Sequence, residues 1–160
     1  GCDFTDTSFF GFDTAVLRMT GCTFKDTTFA GNYWQKPADF TVSDCEISTP
    51  TNAAFLKLGV YTIGRIGIDG CTITGKSPAI DVFDLRPISL PPNASENPDL
   101  ESGAVAIRKT KLTGGAKTAV KFGNDSHVSS KKITFYDKGG NLLPDGLVPE
   151  GGRPACWTVK

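Results

Sequence analysis

Several things are scarce in this 160-residue chain, and each scarcity removes a class of function. There is one histidine, His127, and one methionine. A solitary loop histidine is solvated in most proteins, so a catalytic role for His127 is not the favoured reading. No net charge exists, because 17 Lys and Arg balance 17 Asp and Glu. A nucleic-acid surface would require a basic excess, so nucleic acid is not an expected partner. No run of 18 apolar residues occurs, which excludes a membrane-spanning helix. No window carries apolar residues at i, i+3, i+4 and i+7, so almost no helix is expected. The runs "TGG" and "KGG" do not follow a strand and open a helix, so no nucleotide loop is indicated.

What is present is turn chemistry and aromatic strand formers: 18 Gly, 10 Pro and 11 Phe. Strands separated by tight turns are the natural reading. At this length one domain with a real core is expected.

A phrase recurs. It reads "GCDF" (1–4), "LRMTGCTF" (17–24), "FTVSDCEI" (40–47), "IGIDGCTI" (66–73) and "AIRKTKL" (106–112). Cys2, Cys22, Cys45 and Cys71 hold one place in it, and Thr110 holds that place in the fifth copy. Gly1, Gly21, Asp44, Gly70 and Lys109 come just before. Gly and Asp tolerate positive φ, so a one-residue left-handed corner between two strands accounts for them. A third strand follows each cysteine: "FFGF" (9–12), "TFAGN" (28–32), "FLKL" (55–58), "AIDVFD" (79–84) and "AVKFGN" (119–124). Length then varies only in the loop after this strand, most of all in residues 85–103.

Strand, sharp corner, strand, strand and variable loop is the outline of a coil. Over residues 1–136 the phrase resembles the repeats of right-handed parallel β-helix proteins of the pectate-lyase-like superfamily. The expected fold is all-β: a single-stranded right-handed parallel β-helix of about five coils over 1–137, with a loop-rich capping tail over 138–160. A pentapeptide-repeat helix is the rival, since "CDFTD TSFFG" and "CTFKD TTFAG" place Phe every fifth residue. The interval from Cys2 to Cys22 suits it, but those from Cys22 to Cys45 and from Cys45 to Cys71 are not multiples of five. Because the repeat is already under way at Gly1, the chain is expected to be the C-terminal part of a longer β-helix. Its open end should pair with the remainder of that β-helix or with another copy.

The cysteines alternate with outward Asp3, Thr23, Glu46 and Thr72, so they should point inward as a ladder of buried free thiols. Cys2 and Cys71, three coils apart, lie about 14 Å from each other, far too distant to share a zinc ion that holds sulfur at about 2.3 Å. Cys156, outside the ladder, is read as a free thiol or a packing residue at the end coil.

The pectate-lyase-like resemblance places substrate along the third strand and implies an extracellular protein acting on polysaccharide. The outward residues of that strand are read as Gly11, Ala30, Lys57, Asp81 and Lys121. Lys57, Asp81 and Lys121 are the candidate catalytic residues, because lysines can neutralise a uronate carboxylate and so acidify the adjacent C–H for β-elimination. Tyr33, Trp34, Asp84, Arg86 and Asn124 are the candidate substrate-binding residues; the two aromatics could stack on a sugar face. No cofactor or resident metal is expected, although Asp81 and Asp84 could act as a hydrolase pair or take calcium through oxygen ligands. "NAS" (93–95) and "NDS" (124–126) fit the N-glycosylation pattern. The motifs "NTD", "DD", "GHG" and "RIK" of galacturonase-like hydrolases are absent, and "RPISLPP" (86–92) lacks the second arginine of the lyase motif. The alternative is therefore a non-catalytic structural or adhesive β-helix that meets a partner protein through its long loops. On that reading Lys57, Asp81 and Lys121 form only a surface ladder of alternating charge.

Overall fold

A computed structural model describes residues 1–10, 16–31, 38–49, 53–59, 63–83, 102–122, 132–148 and 155–160. Among these residues there are sixteen strands and no helix. None is therefore a helix long and apolar enough to cross a membrane.

The strands form three sheets, and every pairing in them is parallel. Sheet A contains β1 (Asp3–Thr5), β4 (Thr23–Lys25), β7 (Glu46–Ser48), β10 (Thr72–Thr74) and β13 (Lys111–Thr113). Sheet B contains β2 (Ser8–Phe10), β5 (Thr28–Gly31), β8 (Leu56–Gly59), β11 (Ile80–Phe83) and β14 (Val120–Phe122). Sheet C contains β3 (Val16–Thr20), β6 (Ala38–Ser43), β9 (Ile63–Asp69), β12 (Ser102–Arg108), β15 (Lys132–Asp137) and β16 (Trp157–Val159). The chain visits A, B and C in rotation, and each return adds one strand beside the last. The expected all-β chain of stacked parallel strands is what forms.

Corners between sheets C and A explain the repeated phrase. Gly21, Asp44, Gly70 and Lys109 have φ of 62°, 52°, 62° and 47°. This left-handed conformation costs little for Gly and is tolerated by Asp; Lys109 has no such allowance. The residue after each corner turns its side chain inward. There the Cys45 thiol donates to the Ser43 carbonyl at 3.1 Å and the Cys71 thiol to the Asp69 carbonyl at 3.3 Å. Thr110 Oγ1 donates to the Arg108 carbonyl at 2.9 Å in the same way. Cysteine recurs because the site requires a small, mostly apolar group with one weak donor. All five cysteines are free. Cys2 is exposed, whereas Cys22, Cys45 and Cys71 are 6%, 2% and 1% exposed, so the ladder sinks into the protein over its first three rungs.

Inward side chains of all three sheets meet in one core. Its first rungs are aromatic. Phe4 stacks on Phe24 with centroids 5.1 Å apart, and Phe9 on Phe29 at 4.5 Å. The middle is aliphatic, with Leu56, Leu58, Ile63, Ile80, Val82, Val105, Ile107 and Val120 fully buried. The far end is aromatic again, where Trp157 meets Phe122 and Phe135, each at 5.5 Å.

The path does not break at residue 137. Gly140 repeats the corner with φ 70°, and Asn141 stands where the cysteines stand. Thr110 N–H donates to Asn141 Oδ1 at 2.9 Å, and Asn141 Nδ2 donates to the Ile107 carbonyl at 2.9 Å. Leu142 bridges to Lys111, and Val120 N–H donates to the Leu147 carbonyl at 3.0 Å. Residues 140–148 thus run along β13 and β14, while β16 adds the last strand to sheet C.

Candidate functional site

Sheet B carries the line anticipated from the sequence. Leu56, Leu58, Ile80, Val82 and Val120 face inward and are fully buried. Period-two alternation then turns Lys57, Asp81 and Lys121 outward. Their registers are direct: Ala30 beside Lys57, Lys57 beside Asp81, Asp81 beside Lys121. Consecutive members lie one strand spacing apart, about 4.8 Å. Opposite charges one strand apart attract by a few tenths of a kcal/mol when exposed. The line keeps one positive charge in excess.

Its first position differs from expectation. Phe10, not Gly11, pairs with Ala30. The reason is Phe9, which turns inward to stack on Phe29 and leaves Phe10 on the outside, 77% exposed. Gly11 itself lies outside the described residues, as do Tyr33, Trp34, Asp84, Arg86, Asn124 and His127. The structure therefore brings together Lys57, Asp81 and Lys121, with Ala30 and Phe10 continuing the line.

No known protein family, curated protein or solved structure matches this chain. The case for function rests on its own surfaces.

A second surface, on sheet C, was not signalled by the repeat. A cavity of about 440 Å³ opens there, lined by Thr41, Gly67, Ile68, Asp69, Ala106, Arg108 and Lys138. It lies on a different sheet from the lysine-aspartate line. Gly67 and Ala106 are neighbours in register on β9 and β12; Ala106 carries only a methyl, and the Thr41 side chain leans over Gly67, within 3.3 Å of where a Cβ would sit. Arg108 Nε donates to Asp69 Oδ1 at 2.9 Å, and its Nη2 donates to Oδ2. This fork holds the Asp69 carboxyl below its ordinary value and raises Arg108. Tyr136 stands beside Ala106 on β15, with Lys138 Nζ 4.3 Å from its ring centroid. The sequence signal was available: outward Gly67, Ala104 and Ala106 interrupt strands whose other outward positions are largely polar.

Among the described residues, no group of three His, Cys, Asp or Glu could hold a metal ion. Cys45 and Cys71 are not activated thiols. Burial pushes Cys45 up and Cys71 up to about 11, the opposite of the lowering that activates a nucleophilic cysteine.

Proposed function

We propose that the chain is a right-handed parallel β-helix of the pectate-lyase-like kind, from an extracellular protein that binds or cleaves an acidic polysaccharide along sheet B. Right-handedness is the rule for parallel strands joined by crossovers within one sheet. The observation that carries the function is the in-register line Lys57–Asp81–Lys121. Its rungs are spaced about 4.8 Å apart, close to the length of one sugar ring, so neighbouring units of a glycan meet equivalent positions. The two lysines attract uronate carboxylates. Asp81, held between them, is the group placed to accept a proton. Phe10, at the end of the line, offers an apolar face for a ring to stack on.

The alternation of Lys57, Asp81 and Lys121, continued by apolar Ala30 and Phe10, also suits a second reading, binding without cleavage. Titration of uronate oligosaccharides against the parent and the Lys57→Ala/Lys121→Ala double variant, at low and high salt, tests the proposal. The variant should bind more weakly and with a flatter salt dependence, while melting at nearly the same temperature. Equal binding by both proteins would reduce the line to surface decoration, and product release by the parent alone would decide between cleavage and binding.

A further inference from the structure

We infer that the outer face of sheet C is a separate docking surface for an acidic sugar, seated in the cavity over Gly67 and Ala106. The inference does not depend on the role given to sheet B.

The first ground is charge segregation. The chain as a whole is neutral, but this face is not. Arg18, Arg65, Arg108, Lys132 and Lys138 occupy it, against the carboxylates Asp39 and Asp69. With Asp137 of β15 counted as well, that is an excess of two positive charges among the described residues. A concentration of one sign on a surface draws ligands of the other.

The second ground is the shape and chemistry of the cavity. Its floor is extended backbone at Gly67 and the methyl of Ala106. The floor's peptide groups are engaged in the parallel ladders of β6, β9 and β12, so it offers an apolar surface rather than donors. At Gly67 the close neighbour is Thr41, whose Cγ2 and Oγ1 would lie 3.3 Å from an added Cβ. The polar groups sit at the rim: Thr41, the Asp69–Arg108 fork, and Lys138 beside Tyr136. A pyranose has the complementary pattern, an apolar face of axial C–H bonds and an edge of hydroxyls. A nucleobase would want an aromatic floor, and this one has none. Arg108 is already committed to Asp69, whereas Lys138 touches only the π-face of Tyr136 in the described contacts. A sugar carboxylate is therefore directed to Lys138, which lines the cavity.

Backbone-amide NMR of the full chain, titrated with a uronic-acid hexasaccharide and with its carboxyl-reduced neutral counterpart, provides the test. The acidic probe should shift the Gly67 and Ala106 amides, and the neutral one should do so at least tenfold less strongly. Ala106→Leu fills the cavity from the solvent side and should abolish those shifts. Lys138→Ala, which removes only an exposed contact with the Tyr136 ring, should weaken the same binding several-fold and lower its salt dependence. The Lys57→Ala/Lys121→Ala variant should leave the Gly67 and Ala106 shifts intact. No shift at Gly67 and Ala106 with the parent overturns the inference, whatever happens on sheet B; equal response to the neutral probe overturns the acidic preference. Loss of sheet B binding with these shifts preserved leaves this inference standing alone.

Discussion

The two ends of the strand stack are built from similar side chains and finished differently. At the first rung Phe4 and Phe9 are only half-buried, Phe10 and Val16 are exposed, and Cys2 lies open. Among the described residues β1, β2 and β3 each have a neighbour on one side only. At the last rung Trp157 is 2% exposed, flanked by Phe122 and Phe135, and Leu147 and Val148 are buried over β14. At the far end the chain follows the path once more, through residues 140–148 and β16, and its side chains cover the coil before it. Apolar surface covered in this way contributes roughly 25 cal/mol per Å²; among the described residues nothing covers the first rung in the same manner.

The sharpest way to break the comparison is to truncate one aromatic at each end. Trp157→Ala should cost about 3–5 kcal/mol, as large buried aromatics do. Phe9→Ala, already half in solvent, should cost well under half of that, about 1–2 kcal/mol. Urea unfolding of both variants at neutral pH measures the gap. Equal losses would show that the first rung is as well covered as the last.

A smaller effect separates the ends along the cysteine ladder. An unfolded thiol ionises near 9.0, while burial holds Cys71 at about 11 and raises Cys45 as well. The folded state thus disfavours the thiolate. The stability this preserves is complete below pH 9 and is lost as pH rises towards 11, on the order of 1–3 kcal/mol. Denaturation at pH 8 and pH 10.5 should show the drop in the parent and in Cys2→Ala. In Cys71→Ala most of it should disappear.

The smallest expected effect lies at the acid end of the pH scale. Arg108 lowers the Asp69 carboxyl, so this pair's contribution is present above the ordinary carboxylate value and fades as pH falls through the depressed one. Both groups are substantially exposed, so the change should be barely resolvable. Asp69→Asn should unfold with nearly the parent's urea midpoint at pH 7, and its stability should fall slightly less than the parent's between pH 5 and pH 3. A large difference at neutral pH would mean that the fork ties β9 to β12 more strongly than an exposed ion pair can.

The corners were legible because few residues accept positive φ: Gly21, Asp44 and Gly70 announce themselves. The lysine-aspartate line was legible because alternation along "FLKL", "AIDVFD" and "AVKF" allows one outward residue per short strand. Two features were hidden for physical reasons. "KGGN" looks like any tight turn, since asparagine at 141 fills the cysteine place by hydrogen bonding rather than by apolar packing. The cavity on sheet C was hidden because an outward glycine or alanine in one strand means little until Thr41 and Tyr136 are known to flank it across three others. Phe10 was misplaced by one residue because "FFGF" fits the alternation in either register, and only the Phe9–Phe29 stack decides between them.

The crossing from sheet B to sheet C is the step whose length varies most. It spans residues 11–15, 32–37, 60–62, 84–101 and 123–131 in successive passages, yet each following strand enters sheet C in a parallel register with its neighbour. The scaffold therefore sorts insertions and deletions by address. Length changes in this crossing leave the ladders on either side undisturbed. The loss of one residue within a strand would turn that strand's inner face outward. Foreign peptides are best grafted at 84–101, the longest of these crossings, where the fold already separates what is carried from what carries it.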